Sequence, residues 1–271
     1  MSVLSVDLAF RRWSDLGVVI LNQERHAQSS SRAGMKRPPI ACEIVPFAAT
    51  GPDGEIGANR ADTVRVDAEI LAGRLNHLCA VRGIRVMMLD GPQAWKSRGN
   101  GLEHARVSER ELNTAAKTGL PGVVMPRTYR TFAEFCIDVY DALCRRGWKR
   151  LSSRGSGALP QERVLVESYP YAAWKSLGLK PLGSKRRARV SDLAECYGAL
   201  NTLIPFTTNR PPNHDQLQAI VGGLAGLALE GGEMRKVQIV GNPPRREDGH
   251  WREGFIVLPA RPVEFALRWL N

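Results

Sequence analysis

The chain contains short apolar runs separated by longer stretches in which apolar residues recur at helical spacing. The runs are four to nine residues long, rich in Val, Ile and Leu, and bounded by polar, Gly or Pro residues, a pattern that predicts β-strands. The predicted strands are "SVLSVDLAF" (2–10), "LGVVILN" (16–22), "PIACEIVPF" (39–47), "IRVMMLD" (84–90) and "RVLVES" (163–168). The short link between the first two predicts a hairpin.

Five stretches predict helices, because their apolar residues repeat every three or four positions. Gly83 is expected to end the helix predicted at 61–82, and Ser108 and Gly119 are expected to cap the helix predicted between them. The predicted helices are 61–82, "SERELNTAAKTG" (108–119), "TFAEFCIDVYDALCRRG" (131–147), "RVSDLAECYGALNTLI" (189–204) and "HDQLQAIVGGLAGLAL" (214–229). Alternating strands and helices predict one α/β domain over residues 1–271, with a polar insertion near 23–38 and a C-terminal hairpin extension formed by "KVQIVG" and "GFIVLP".

Composition is that of a globular protein, with 43% hydrophobic and 24% charged residues. No stretch has the roughly 18 consecutive apolar residues of a membrane span, and the N-terminus lacks the order of a secretory signal. A cytoplasmic protein without a membrane partner is therefore expected. The 5 cysteines are scattered and lack a C-x-x-C spacing, which argues against a disulfide framework and a structural zinc site.

The formal net charge is +11, which favours contact with a polyanion such as nucleic acid. Three basic residues are adjacent in "GSKRRARV", and three more lie near the acidic strand ends described next. The expected nucleic-acid contacts are Lys96, Arg110, Lys175, Lys185, Arg186 and Arg187. The competing interpretation of these residues is an ordinary solvated surface.

Two buried strands end on an acid, because "VMMLDGPQAW" places Asp90 and "VLVESYPYAAW" places Glu167 at the strand terminus. Ligands of open α/β sheets bind beyond the carboxyl ends of such strands. If the first strand pairs beside these two, Asp7 joins them, and clustered carboxylates either raise one another's pKa or recruit a cation such as Mg²⁺ or Mn²⁺. Asp215 at the start of the last helix is a fourth candidate, with a helix cap as its alternative. His214 beside it is a candidate proton carrier, with packing or capping as its alternative.

The motifs "SVDLAF", "MMLDGPQAW", "SERELN", "VLVESYPYAAWKSLG", "GSKRRARVSDL" and "HDQLQAIVGGLAGLA" resemble, in this order, those of domain-of-unknown-function family 429. Members of this family are predicted nucleases with a ribonuclease H-like fold. The resemblance implies a central mixed five-stranded sheet flanked by helices, and a metal site on Asp7, Asp90, Glu167 and Asp215. The chain departs from the family at Gln218, where a second acid is common, and in the absence of glycines around Asp7.

The sequence thus favours a metal-dependent nuclease that uses two Mg²⁺ or Mn²⁺ ions to hydrolyse phosphodiester bonds. One alternative is a non-catalytic nucleic-acid-binding or adaptor domain, which Gln218 and the basic residues favour. The other is an actin-like phosphotransferase, although the Gly-rich phosphate turn expected after the first strand is absent from "VDLAFRRW". The sequence leaves open DNA, RNA or a small nucleotide as substrate, internal or terminal cleavage, and the oligomeric state.

Overall fold

The computed structural model describes residues 1–24, 38–47, 65–154 and 162–260, so most of the insertion predicted near 23–38 lies outside the described residues. The strands are β1 Ser2–Asp7, β2 Gly17–Asn22, β3 Ile40–Ile44, β4 Val86–Asp90, β5 Lys117–Thr118, β6 Val124–Met125, β7 Lys149–Arg150, β8 Val164–Ser168, β9 Phe206–Thr208, β10 Val237–Val240, β11 Arg245–Glu247, β12 His250–Arg252 and β13 Ile256–Pro259. The helices are α1 Ala68–Arg82, α2 Val107–Leu112, α3 Arg130–Arg145, α4 Pro170–Ser176, α5 Val190–Leu203 and α6 His214–Glu230.

The five strands predicted in the first two-thirds of the chain form the centre of one mixed sheet, in the order β3-β2-β1-β4-β8. Strand β2 is antiparallel to both β1 and β3, whereas β1, β4 and β8 are parallel to one another. Within the described residues the sheet is larger than the five strands expected, with nine strands. Strand β9 extends it beside β3, and β13, β10 and β7 extend it beside β8.

Helices cover both faces of this sheet, because side chains alternate between the faces along each strand. Val3 and Met88 lie in the core layer that α6 also contributes to, together with α4 and α5. Leu4 and Met87 lie in the opposite layer, which α1 and α3 complete. Burial of both faces explains why the central strands read as nearly continuous apolar runs in the sequence.

Helix α6 lies unusually close to the sheet because glycines face it. A Cβ atom on Gly223 would lie 2.8 Å from the Cβ of Ser5, and one on Gly226 would lie 2.7 Å from a methyl carbon of Val3. Both distances are shorter than carbon atoms tolerate, so any larger residue would force the helix away from β1. The close contact carries the N-terminus of α6 to the carboxyl end of β1.

The second predicted helix is shorter than expected and its predicted caps are wrong. Ser108 lies inside α2, and the helix ends at Asn113, which adopts a left-handed conformation with φ 48°. The Glu109 side chain accepts hydrogen bonds from the backbone nitrogen and the hydroxyl of Thr118, at 2.8 and 2.7 Å. These bonds hold Thr118 in strand β5, so the chain is extended where the sequence pattern predicted the end of a helix.

In the C-terminal part the two apolar runs form strands β10 and β13, which pair antiparallel. They are not joined by a tight turn, because a second hairpin of β11 and β12 lies between them. All five cysteines are free thiols. None of the helices in the described part of the chain combines the length and apolar character needed to cross a lipid bilayer.

Candidate metal centre

Asp7 and Asp90 end two adjacent parallel strands and are direct partners in the register of β1 and β4. Partnered residues on neighbouring strands point to the same face of a sheet, so both side chains project toward the layer that contains α6. Their carboxyl groups share a hydrogen bond. The structure thus brings these two acids together at the carboxyl edge of the sheet.

Asp215 reaches the same place from α6. The helix begins at His214, after Asn213, whose side chain accepts a hydrogen bond of 2.9 Å from the backbone nitrogen of Gln216. Gly17, the antiparallel partner of Asp7, leaves room for the helix, because a Cβ atom there would lie 2.2 Å from the carbonyl oxygen of Asp215. Ligand atoms of Asp7, His214 and Asp215 all lie within 4.8 Å of one another.

Two acids of this cluster, Asp7 and Asp90, resist ionisation. Burial, with the negative charges of Asp90 and Asp215, holds the pKa of Asp7 well above its ordinary value. Burial likewise raises the pKa of Asp90 to about 7, against the effect of its hydrogen bond with Asp7 and with the help of the charge on Glu167. A bound cation would relieve both effects, since it favours the ionised carboxylates.

Two basic side chains of the protein already contact Asp215. The Nδ1 atom of His214 lies 3.0 Å from one carboxylate oxygen, and the Nζ atom of Lys185 hydrogen-bonds to the other. Lys185 also donates a bond of 2.7 Å to Asp15, in the short helical turn between β1 and β2. The second ring nitrogen of His214 lies 2.8 Å from the carbonyl oxygen of Gly183. Both ring nitrogens face oxygen acceptors, an arrangement that suits a protonated ring.

Burial disfavours the charge on His214, but the hydrogen bonds to Asp215 and Gly183 outweigh it, so the pKa of His214 is raised. The same balance holds for Lys185, whose pKa rises because its bonds to Asp15 and Asp215 outweigh burial. The sequence pointed to His214 through its position beside Asp215. Asp15 was missed, because a single acid in a turn carries no signal of its own.

The structure does not bring Glu167 into this cluster. Its partner on β4 is Leu89, whereas Asp90 is paired with Ser168, so the Glu167 side chain points to the opposite face of the sheet. There it accepts bonds of 2.7 and 2.6 Å from the guanidinium of Arg106 and one of 3.0 Å from the backbone nitrogen of Gln93. The expectation that Glu167 shares an ion with Asp7 and Asp90 is therefore wrong. The cause is the register of β8 against β4, which is offset by one residue and is not visible in the sequence.

Arg106 is the centre of a buried network that the sequence analysis did not identify. Its side chain is 1% exposed and forms an ion pair with Glu109 as well as with Glu167. Burial opposes the charge of Arg106, but the two carboxylates raise its pKa above the ordinary value. Burial also raises the pKa of Glu167, although Arg106 opposes this. The network joins α2 to the ends of β4 and β8, and so fixes the backbone that follows Asp90.

Gln218, the position at which the resembled family commonly has an acid, has a different partner. Its amide oxygen accepts a hydrogen bond of 2.8 Å from the indole nitrogen of Trp174, which is fully buried in α4. This bond satisfies the polar atom of a large core residue. Gln218 therefore links α6 to α4.

The predicted nucleic-acid contacts divide into three groups. Lys96 is 5% exposed, so it does not present a surface charge, contrary to the expectation. Lys185 is held by Asp15 and Asp215. The remaining residues are exposed, and one of them, Lys175, has its ammonium 4.4 Å from the ring centre of Tyr171. The exposed residues are Arg110, Lys175, Arg186 and Arg187.

The donor set of the cluster fits a hard divalent cation. Asp7, Asp90 and Asp215 offer carboxylate oxygens, the ligands that Mg²⁺ and Mn²⁺ prefer. Two of the three carboxyls face each other, an arrangement that is unfavourable when both are ionised without a cation. No cysteine takes part in the group, which argues against a soft metal.

Comparisons with known proteins add little to this picture. No family model matches the chain, and no curated protein sequence matches it. Among solved structures, the RuvC structure from Thermus thermophilus is similar, with 10% identity over 86% of this chain and 97% of that chain, and a TM-score of 0.38. A similarity at this level carries no argument about activity, so the functional conclusion depends on the geometry of the site.

Proposed function

We propose that this protein is a metal-dependent nuclease with a ribonuclease H-like fold. The observation that carries the proposal is that Asp7 on β1 lies beside two further carboxylates from separate elements, Asp90 on β4 and Asp215 on α6. The mixed arrangement of the five central strands, with helices on both faces, agrees with the fold that the sequence resemblance implies.

In this proposal Asp7, Asp90 and Asp215 hold one Mg²⁺ or Mn²⁺ ion. When bound, the ion supplies Lewis acidity toward a phosphodiester and lowers the pKa of a coordinated water. The protein's own contribution is to keep the three carboxylates in fixed positions at the edge of a rigid sheet. The pair of Arg106 and Glu167 supports Asp90 from the other face by fixing the segment after β4.

The two-ion mechanism expected from the sequence needs more oxygen ligands than these three side chains provide. Glu167 is bound to Arg106 and Gln218 to Trp174, so neither is free to complete a second site. We therefore restrict the proposal to a single ion held by the protein alone. A second ion would need oxygen atoms from the substrate.

Nucleic acid is the proposed substrate, because two exposed cations lie on the turn next to the cluster. Arg186 and Arg187 follow Lys185 directly in the turn that is bonded to the start of α6, so their backbone lies near Asp215. Cations next to an acidic metal site suit a substrate with repeated phosphates, because each phosphate outside the metal site needs its own counter-charge.

The test is a cleavage assay on labelled single-stranded, duplex and branched DNA and on RNA, with Mg²⁺, Mn²⁺ or a chelator. We expect a cleaved product from at least one polymer with metal, and none with the chelator or in Asp90→Asn. Failure to cleave any polymer, together with no Mn²⁺ binding in calorimetry, would refute the proposal. Metal-independent binding without cleavage would favour the adaptor alternative, and a thermal shift with ATP would favour the phosphotransferase.

A further inference from the structure

The start of α6 and the turn at residues 183–187 are joined by two basic side chains. Lys185 bonds to Asp215 and Asp15, and the ring of His214 bonds to the Gly183 carbonyl. Asp215 is 7% exposed, and each of its two carboxylate oxygens has one of these side chains as partner. A divalent ion that takes Asp215 as a ligand would lie next to the ammonium of Lys185, so the two positive charges compete for the same carboxylate.

Lys185 is the partner better able to leave. Its side chain is 50% exposed, whereas that of His214 is 13% exposed and is held at both ring nitrogens. A lysine side chain is a flexible chain with a strongly hydrated ammonium, so rotation into water costs it little. Its second partner, Asp15, is itself 35% exposed and remains solvated after the ammonium leaves.

We propose that Lys185 is an internal counter-ion of the acid cluster, which competes with the divalent cation for Asp215 and is released when the cation binds. This inference rests on the proposed metal site. It assigns Lys185 a role in setting metal affinity, rather than the permanent phosphate contact that the sequence suggested. Once released, the ammonium joins Arg186 and Arg187 on the exposed turn, so metal binding adds one cation to the surface available to a phosphate backbone.

The test is Mn²⁺ calorimetry, without nucleic acid, on wild type and Lys185→Met, a change that keeps an unbranched side chain only one atom shorter and removes its charge. We expect Lys185→Met to bind Mn²⁺ about tenfold more tightly, because the competing cation is gone. Without metal its melting temperature should be lower by roughly 2–4 °C, since Asp215 loses a partner. Lys180→Met is the matched control, because Lys180 is exposed, pairs with Glu195 and does not contact the cluster.

Asp15→Asn provides a second variant that leaves both Lys185 and Asp215 in place. It removes the charge of one of the two acids that retain the ammonium and so weakens that contact. Mn²⁺ affinity should therefore rise, but less than in Lys185→Met. In an Asp215→Asn background, Lys185→Met should no longer change Mn²⁺ affinity, because the shared partner is absent.

The outcomes separate this inference from the proposed function. Unchanged or weaker Mn²⁺ binding in Lys185→Met, with a wild type that binds Mn²⁺, overturns the competition and leaves the metal site intact. Absence of Mn²⁺ binding in wild type and in Lys185→Met overturns both. Binding that appears only in Lys185→Met supports the competition in its strongest form.

Discussion

The carboxyl groups of Asp7 and Asp90 share a hydrogen bond across two adjacent parallel strands, at the point where both strands end. Two acids in this relationship are stable when they share a proton or a cation, and they repel each other when both are ionised. The pair is therefore expected to bind either a proton or a metal ion. The first two predictions follow from this competition.

Asp90→Asn removes one of the two charges and keeps the shape of the side chain. We expect cleavage to fall by at least about 100-fold, since even groups that only orient a metal ligand are worth roughly 10- to 100-fold. The metal-free variant should be as stable as wild type or more stable at pH 8, because the repulsion is relieved. Cleavage rates and denaturant unfolding with a chelator check this, and undiminished cleavage would contradict the metal site.

The raised pKa of Asp90 predicts a pH-dependent stability. Burial lifts it from the ordinary value of 3.8 to about 7, so the folded state holds a proton that the unfolded state has lost. The free energy of unfolding of the metal-free protein should therefore decrease as pH rises through this interval and level off above it. Unfolding curves at a series of pH values with a chelator measure the slope. The slope of the free energy of unfolding against pH should be smaller in Asp90→Asn. An equal slope in both proteins would mean that Asp90 titrates normally.

Glu167→Gln separates a supporting role from a ligand role. The substitution removes the charge that faces Arg106 in a buried network, so we expect a loss of about 1–3 kcal/mol in the free energy of unfolding. Mn²⁺ affinity should change far less than in Asp90→Asn, because the Glu167 side chain lies on the other face of the sheet and acts on Asp90 only indirectly. Asp90→Asn is the control with the same change in charge. A matching loss of Mn²⁺ affinity in both variants would restore Glu167 to the metal site.

The exposed arginines predict a measurable salt effect. Replacing Arg186 and Arg187 together by Met should reduce the slope of log affinity against log salt by about 1.8 on duplex DNA, or about 0.9 for each lost phosphate contact. Lys96→Met should leave the slope unchanged, because Lys96 is buried. Fluorescence anisotropy at several salt concentrations measures both. Equal slopes in wild type and the double variant would assign the two arginines to an ordinary solvated surface.

The central sheet and most helices could be predicted because local patterns determine them. Strands β1, β2, β3, β4 and β8 and helices α1 and α5 lie within the predicted segments, and helices α3 and α6 each extend one residue beyond theirs. The end of α1 at Gly83 is also as predicted, with φ 63°. These elements have long runs of regular apolar spacing, and their packing agrees with that spacing.

The parts that could not be predicted depend on contacts between distant segments. The exclusion of Glu167 follows from register, because one residue of offset between β4 and β8 exchanges the two faces. The early end of α2 follows from Thr118, which bonds to Glu109 instead of continuing a helix. Lys185 bonds to Asp215, which is 30 positions away in the sequence, and to Asp15, which is 170 positions away. Apolar periodicity contains no information on such pairs.

The close packing of α6 has a consequence for how the cluster tolerates change. The helix contacts β1 and β2 almost backbone to backbone because of three glycines, Gly17, Gly223 and Gly226. These glycines therefore fix the distance between Asp215 and the acids on the strands. Every other amino acid at these positions has a larger side chain. A substitution could therefore only move the helix away from the strands and widen the cluster. The packing of the core thus sets the distances between the carboxylates of the cluster. A substitution in the core, far from the acids, would therefore change which ion fits between them.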